Sequence, residues 1–126
     1  MQVRNETVLQ YKPSQVYVPD KTEVEAALKR TTHLGIGTHQ DDIAIMAFHG
    51  VTECYGEEDK WFTGVTVTNG GGAPNTGEFS CCTKAEMIAV RSVEEKRAAY
   101  HGKYSAVVLL GYESDALKNH PMEIME

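Results

Sequence analysis

Residues 105–112, "SAVVLLGY", form a continuously apolar run of strand length with no solvated face. A strand of this kind is buried on both sides, which calls for helices above and below it and for parallel neighbours reached by crossover connections. Two further stretches fit the same frame. "HLGIGT" (33–38) is a brief apolar run with glycines, and "WFTGVTVTN" (61–69) is rich in aromatic and β-branched residues. Helix signals alternate with them. Asp20 stands three positions ahead of Glu23, and Thr22 three ahead of Glu25; both are capping-box spacings, opening a short helix through about Lys29. "DDIAIMAFHGVTEC" (41–54) has helical spacing in Asp42, Ile45, Met46 and His49, with Gly50 as its break. Thr83 and Glu86 form another capping box, at the head of a long helix that stops near Gly102. Residues 1–19, including "VYVP", read as an irregular or weakly extended lead-in, and 113–126 as a loop and the start of a helix. The expected architecture is α/β: a Rossmann-like three-layer fold with a parallel sheet, truncated after its third central strand, in one domain over residues 1–126.

Charge and cysteine usage narrow the functional classes. Lys and Arg number 12 against 18 Asp and Glu, a net charge of −6, which disfavours nucleic acid or an anionic membrane surface as partner. No run approaches the length of a membrane span, and "MQVRNETVLQ" lacks the apolar stretch of a signal peptide. Cys54, Cys81 and Cys82 are an odd, unpatterned set, the usage expected of reduced thiols in a cytoplasmic protein.

Chemistry concentrates at "GIGTHQDDIAIM" (35–46), where the first central strand gives way to a helix. In open parallel sheets, ligands bind outside the carboxyl ends of the strands, which is where His39, Asp41 and Asp42 fall. Imidazole nitrogen and carboxylate oxygen are both ordinary zinc ligands. Consecutive aspartates at a helix start diverge, so one can hold an ion while its neighbour takes a proton from an activated water. The residues alone fit equally an acidic helix start beside a solvated histidine.

The string resembles the signature of the LmbE/PIG-L family of zinc-dependent N-acetylglucosamine deacetylases, whose core is a histidine, one further residue and two aspartates at the end of the first strand. "WFTGVTVTNGGG" is similar to that family's second strand and following loop, "AVRSVEEKRAA" to its R-x-x-E-x-x-x-A-A helix, and "SAVVLLGY" to the strand after it, in matching order from about residue 33 to residue 118. The resemblance implies His39 and Asp42 as ligands of Zn2+ or another divalent ion, Asp41 as the general base, and Arg91 as a substrate-binding residue. It implies hydrolysis of an amide on an N-acetylated sugar or sugar conjugate. Arg91 has a second reading, an i,i+3 pair with Glu94 that ties the helix down.

The chain departs from the family in two places. Ile43 and Ala44 stand where many members carry a glutamate, and the family's third ligand, in an H-x-x-H-like segment beyond the third strand, has no counterpart. His49 lies seven residues past Asp42, roughly 10 Å along a helix and out of reach of one ion. His120 reads as an exposed loop residue, His33 falls at the opposite strand end, and His101 complements a helix C-terminus. The resemblance therefore covers an amino-terminal half, whose exposed sheet edge invites homo-oligomerisation. The alternative is a non-catalytic α/β binding or assembly module. Three other strings lack a defining residue. "NGGGAPN" has no following G-K-[ST], "GIGTHQ" has Gln40 where a dinucleotide fingerprint needs its third glycine, and Cys81-Cys82 is not a C-x-x-C. Trp61 and Phe62 read as core.

Overall fold

The three apolar runs form strands; the helices between them cover one face of the resulting sheet, and the helix ahead of them packs on the other. The computed structural model describes residues 14–71 and 83–113. In chain order the elements are β1 (Gln15–Tyr17), α1 (Val24–Lys29), β2 (His33–Gly37), α2 (Asp42–Met46), α3 (Phe48–Cys54), β3 (Phe62–Thr68), α4 (Lys84–His101) and β4 (Ala106–Tyr112). Strands β2, β3 and β4 are parallel, with His33 beside Phe62 and Thr63 beside Ala106. The expectation of a wholly parallel sheet is corrected by β1, which lies antiparallel on β4 with Val16 opposite Val108, in the spatial order β1-β4-β3-β2. The lead-in is thus partly a strand. Val16 is its one buried residue, too short a pattern to show a period of two.

Strand β4 explains its own composition. Val107 and Leu109 point into a core with Ile43, Val51, Phe62 and Ala99 from one face, while Ala106 and Val108 meet Val24 and Ala27 of α1 on the other. Each face is therefore apolar, as a doubly covered strand requires. Edge strand β2 differs. Gly35 and Gly37 face the α2–α3 side and are buried, but Leu34 and Ile36 on the opposite side are 60% and 64% exposed, because α1 packs on β4 instead.

Two helix readings change in detail. The 42–54 helix is two short ones that break at Ala47 (φ −117°, ψ 18°), with Gly50 inside α3. The role of Gly50 is packing: a Cβ there would lie 3.4 Å from the Phe62 ring. Neither capping box ahead of α1 forms. Its N-cap is Glu23, whose side chain does not cap the helix, and the Asp20 carboxylate instead accepts the Thr22 N–H and the Arg30 guanidinium, each at 3.0 Å. Arg30 also donates to Ser105 and stacks 3.7 Å over Trp61, which ties the end of α1 to the starts of β3 and β4. The Thr83–Glu86 box does form, and the Thr83 N–H and hydroxyl hold the Glu86 carboxyl below its usual range. Gly102 ends α4 with ordinary right-handed angles, and the left-handed residue is Lys103 (φ 54°). Among the described residues, no helix is long and apolar enough to cross a membrane.

Candidate functional site

The loop between β2 and α2 is held by its own side chains. The Asp42 carboxylate, on the first residue of α2, turns back to accept the N–H groups of Thr38 at 3.1 Å and His39 at 2.9 Å. These amides precede a helix and have no intrahelical partners, so one carboxylate oxygen satisfies two donors and sets the curvature of the loop. The same oxygen lies 3.8 Å from Nδ1 of His39. Asp41 completes the turn in a left-handed conformation (φ 79°, ψ −22°), which aspartate tolerates at a cost of about 1 kcal/mol.

Stitching to β3 fixes where this loop sits. The Thr38 carbonyl accepts both the N–H and the hydroxyl of Thr68, each at 2.9 Å. Buried Gln40 donates its side-chain amide to the Thr68 carbonyl at 3.2 Å. Beyond β3, Asn69 caps a tight turn by accepting the Gly71 N–H at 2.8 Å, and Gly70 has φ +81°. A Cβ at Gly70 would fall 2.7 Å from the Gln40 Oε1 and 2.8 Å from the Arg91 Cγ, so only glycine lets the two loops and α4 close on one another. The carboxyl ends of β2 and β3 thereby pack together against α4.

Arg91 and Glu95, one turn apart on α4, lie beside this loop. Nη1 of Arg91 lies 3.8 Å from the Asp41 carboxylate and donates to Glu94 at 3.3 Å, so the i,i+3 pair read from the sequence is formed. Glu95 was not anticipated. It is buried. Burial pushes Glu95 above the ordinary carboxylate range, the nearby Asp41 peptide N–H pulls it back in part, and the charges of Asp41, Asp42 and Glu94 push it up again. Burial, with the Glu95 charge adding to it, also pushes the Tyr104 phenol up to about 12. A tyrosine raised in the folded state contributes stability that is complete below the usual value of about 10 and is lost as pH rises through its folded pKa. A tyrosinate absorbance titration is expected to show a late-ionising phenol, and Tyr104→Phe should remove that step.

The remaining candidates lie elsewhere. His33 is at the opposite end of β2, paired with Glu53 at 3.4 Å, and His49 is on α3. His120, Cys81, Cys82 and most of "NGGGAPN" fall outside the described residues. Two open grooves of about 430 and 460 Å³ meet around Tyr55, His101 and Tyr104. Trp61 and Lys103, just ahead of β3 and β4, line the second, so this region is at the amino ends of the strands, away from the Asp41 loop.

Zinc ligands about 2.0–2.2 Å from their ion stand roughly 3.4 Å apart in a tetrahedral set. The 3.8 Å between His39 and Asp42 needs only a small side-chain adjustment to match, so these two donors fit a metal. Among the described residues, no group of three His, Cys, Asp or Glu side chains completes a ligand set around them. Fold and loop together define an α/β protein with an acidic loop, His39–Asp42, at the carboxyl end of a parallel strand. Comparison of the chain with protein-family models, curated proteins and solved structures gave no match.

Proposed function

We propose that the chain carries part of the active site of a metal-dependent amide hydrolase of the LmbE/PIG-L type, acting on an N-acetylated sugar or sugar conjugate. The observation that carries this reading is the arrangement of one loop. His39 and Asp42 stand 3.8 Å apart on it, and Asp41 between them in sequence is turned away to Arg91. The run β2–β3–β4, parallel and joined through helices on one face, is in this reading the first half of a Rossmann-like sheet.

His39 and Asp42 would hold the ion, with any further donor coming from outside the described residues. A bound divalent ion supplies Lewis acidity toward the acyl carbonyl and the attacking water. The protein's own work is then separable by residue. The Thr38 and His39 amides fix the Asp42 carboxylate, as outer hydrogen bonds do for metal ligands generally. The exposed Asp41 carboxylate takes the proton of the attacking water, and the Arg91 guanidinium orients that carboxylate and presents N–H donors to sugar hydroxyls.

The test is acetate release from N-acetylglucosamine conjugates by protein supplemented with Zn2+. Asp41→Asn is expected to lower the rate by about 10²–10⁴-fold, the usual worth of a general base, while zinc binding is retained. Equal rates in the two proteins would remove Asp41 from the mechanism.

A second reading, a binding or assembly module, is favoured by the exposed Leu34 and Ile36 on β2, the edge strand among the described residues. Concentration-dependent sedimentation that is lost in a Leu34→Lys, Ile36→Lys variant would support it.

A further inference from the structure

The amino ends of the strands carry a feature that the Asp41 loop does not explain. The two open grooves there, of about 430 and 460 Å³, share Tyr55, His101 and Tyr104 as lining, and each has the size of a small-molecule pocket. Phe48 borders the first, and Trp61, Tyr100 and Lys103 border the second. Phe48, Tyr55 and Tyr100 are 61%, 51% and 60% exposed, so large flat side chains stand open around the grooves instead of filling the core.

The available charge around these rings is positive. Asp20 is the only carboxylate among the described lining residues, and the Arg30 guanidinium and the Thr22 N–H already hold it. The Lys103 ammonium lies 4.9 Å over the Tyr55 ring, and among the described residues no carboxylate pairs with it. Its place follows from the end of α4. A Cβ at Gly102 would fall 2.7 Å from the Tyr104 ring, so the chain passes that ring on a glycine, and the left-handed residue is Lys103 (φ 54°). A lysine keeps this conformation at a cost that glycine would avoid. An ammonium without an ion pair, set among exposed aromatic faces, complements a ligand that is both flat and negatively charged. We propose that these grooves, between α3, α4 and the amino ends of β3 and β4, bind a small aromatic anion, its ring among Tyr55, Trp61 and Tyr100 and its carboxylate, sulfonate or phosphate on the Lys103 ammonium. The site is separate from the Asp41 loop and does not rest on the hydrolase reading.

Titration of naphthoate, a fused-ring carboxylate, into the full-length chain tests it, with naphthamide as the uncharged probe of the same shape. Binding is read from NMR shifts of the backbone amides and of the indole N–H, which Trp61 alone supplies as the chain's single tryptophan. Naphthoate is expected to move the signals of Tyr55, Trp61 and Lys103, to leave the Asp41 and Asp42 amides in place, and to bind roughly tenfold or more tightly than naphthamide. Lys103→Met keeps the reach of the side chain and removes its charge. It should bring naphthoate down to the affinity of naphthamide, while naphthamide itself stays within about twofold of its wild-type value. Tyr55→Ala should weaken both probes. Both side chains are exposed, so the thermal midpoints should stay near wild type. Equal affinities of the two probes for the wild-type chain would overturn the proposal, as would naphthoate binding that Lys103→Met and Tyr55→Ala leave unchanged. Naphthoate shifts centred on Arg91 would overturn it too. Shifts of the same signals with protein concentration alone would make the grooves a contact between copies of the chain, and would overturn it equally.

Discussion

Phe62→Ala is expected to cost about 3–5 kcal/mol, toward the upper end of that range. Phe62 begins β3, is 2% exposed, and meets Tyr104 edge-on with ring centroids 4.8 Å apart. Its ring also lies against Gly35 of β2 and Gly50 of α3, positions where an added Cβ would come within 2.8 and 3.4 Å of it. The ring thus fills space that glycines from a strand and a helix leave open. Glycines have no side chains with which to collapse into a cavity, so little of the lost contact is recovered. Against a total stability of about 5–15 kcal/mol for an ordinary domain, this is a large fraction. Urea unfolding should show a much lower midpoint at an unchanged slope. A loss below about 1 kcal/mol, the size of a well-tolerated core swap, would contradict the place of Phe62 at the centre of this core.

What could be read from the sequence follows from how each element is stabilised. Strands β3 and β4 were legible because burial on two faces requires apolar residues at successive positions, and "SAVVLLGY" can satisfy that requirement in few other ways; β2 carries the same apolar signal although its Leu34 and Ile36 side is exposed. Helix α4 was legible because the Thr83–Glu86 box is a local device that forms as written. The box spacings around Asp20 and Thr22 misled, since Arg30, ten residues on from Asp20 and brought close by the fold, draws the carboxylate to itself. β1 has one buried residue and gains its order from β4, some ninety positions away.

The site divides in the same way. His39, Asp41 and Asp42 could be located because the carboxyl ends of parallel strands are where such sheets bind ligands, and the structure places all three in that loop. Arg91 meets Asp41 as well as Glu94. Gln40 and Glu95 were missed. Gln40 reads as a polar loop residue until the fold buries it against Thr68. Glu95 stands in "EEKR" and reads as solvated charge, and its one signal was its place on the stripe of Met87 and Ala99.

Replacing Asp42 is expected to have the largest effect on the site. Asp42→Ala removes the proposed ligand and also frees the Thr38 and His39 amides, so under the proposed function the loop and the ion are lost together. Asp42→Asn separates the two, because a carboxamide oxygen still accepts both N–H bonds but is a poor ligand for zinc. Loss of a residue that merely orients a ligand lowers metal affinity by about 10–100-fold, and loss of the ligand itself should exceed that. The direct measurement is calorimetric titration of Zn2+ into the wild-type chain, Asp42→Ala and Asp42→Asn. One ion per wild-type chain is predicted, with affinity falling more than about 100-fold in both variants while Asp42→Asn keeps the wild-type amide spectrum. Equal zinc affinity and stoichiometry in all three proteins would contradict the assignment of this loop as a metal seat.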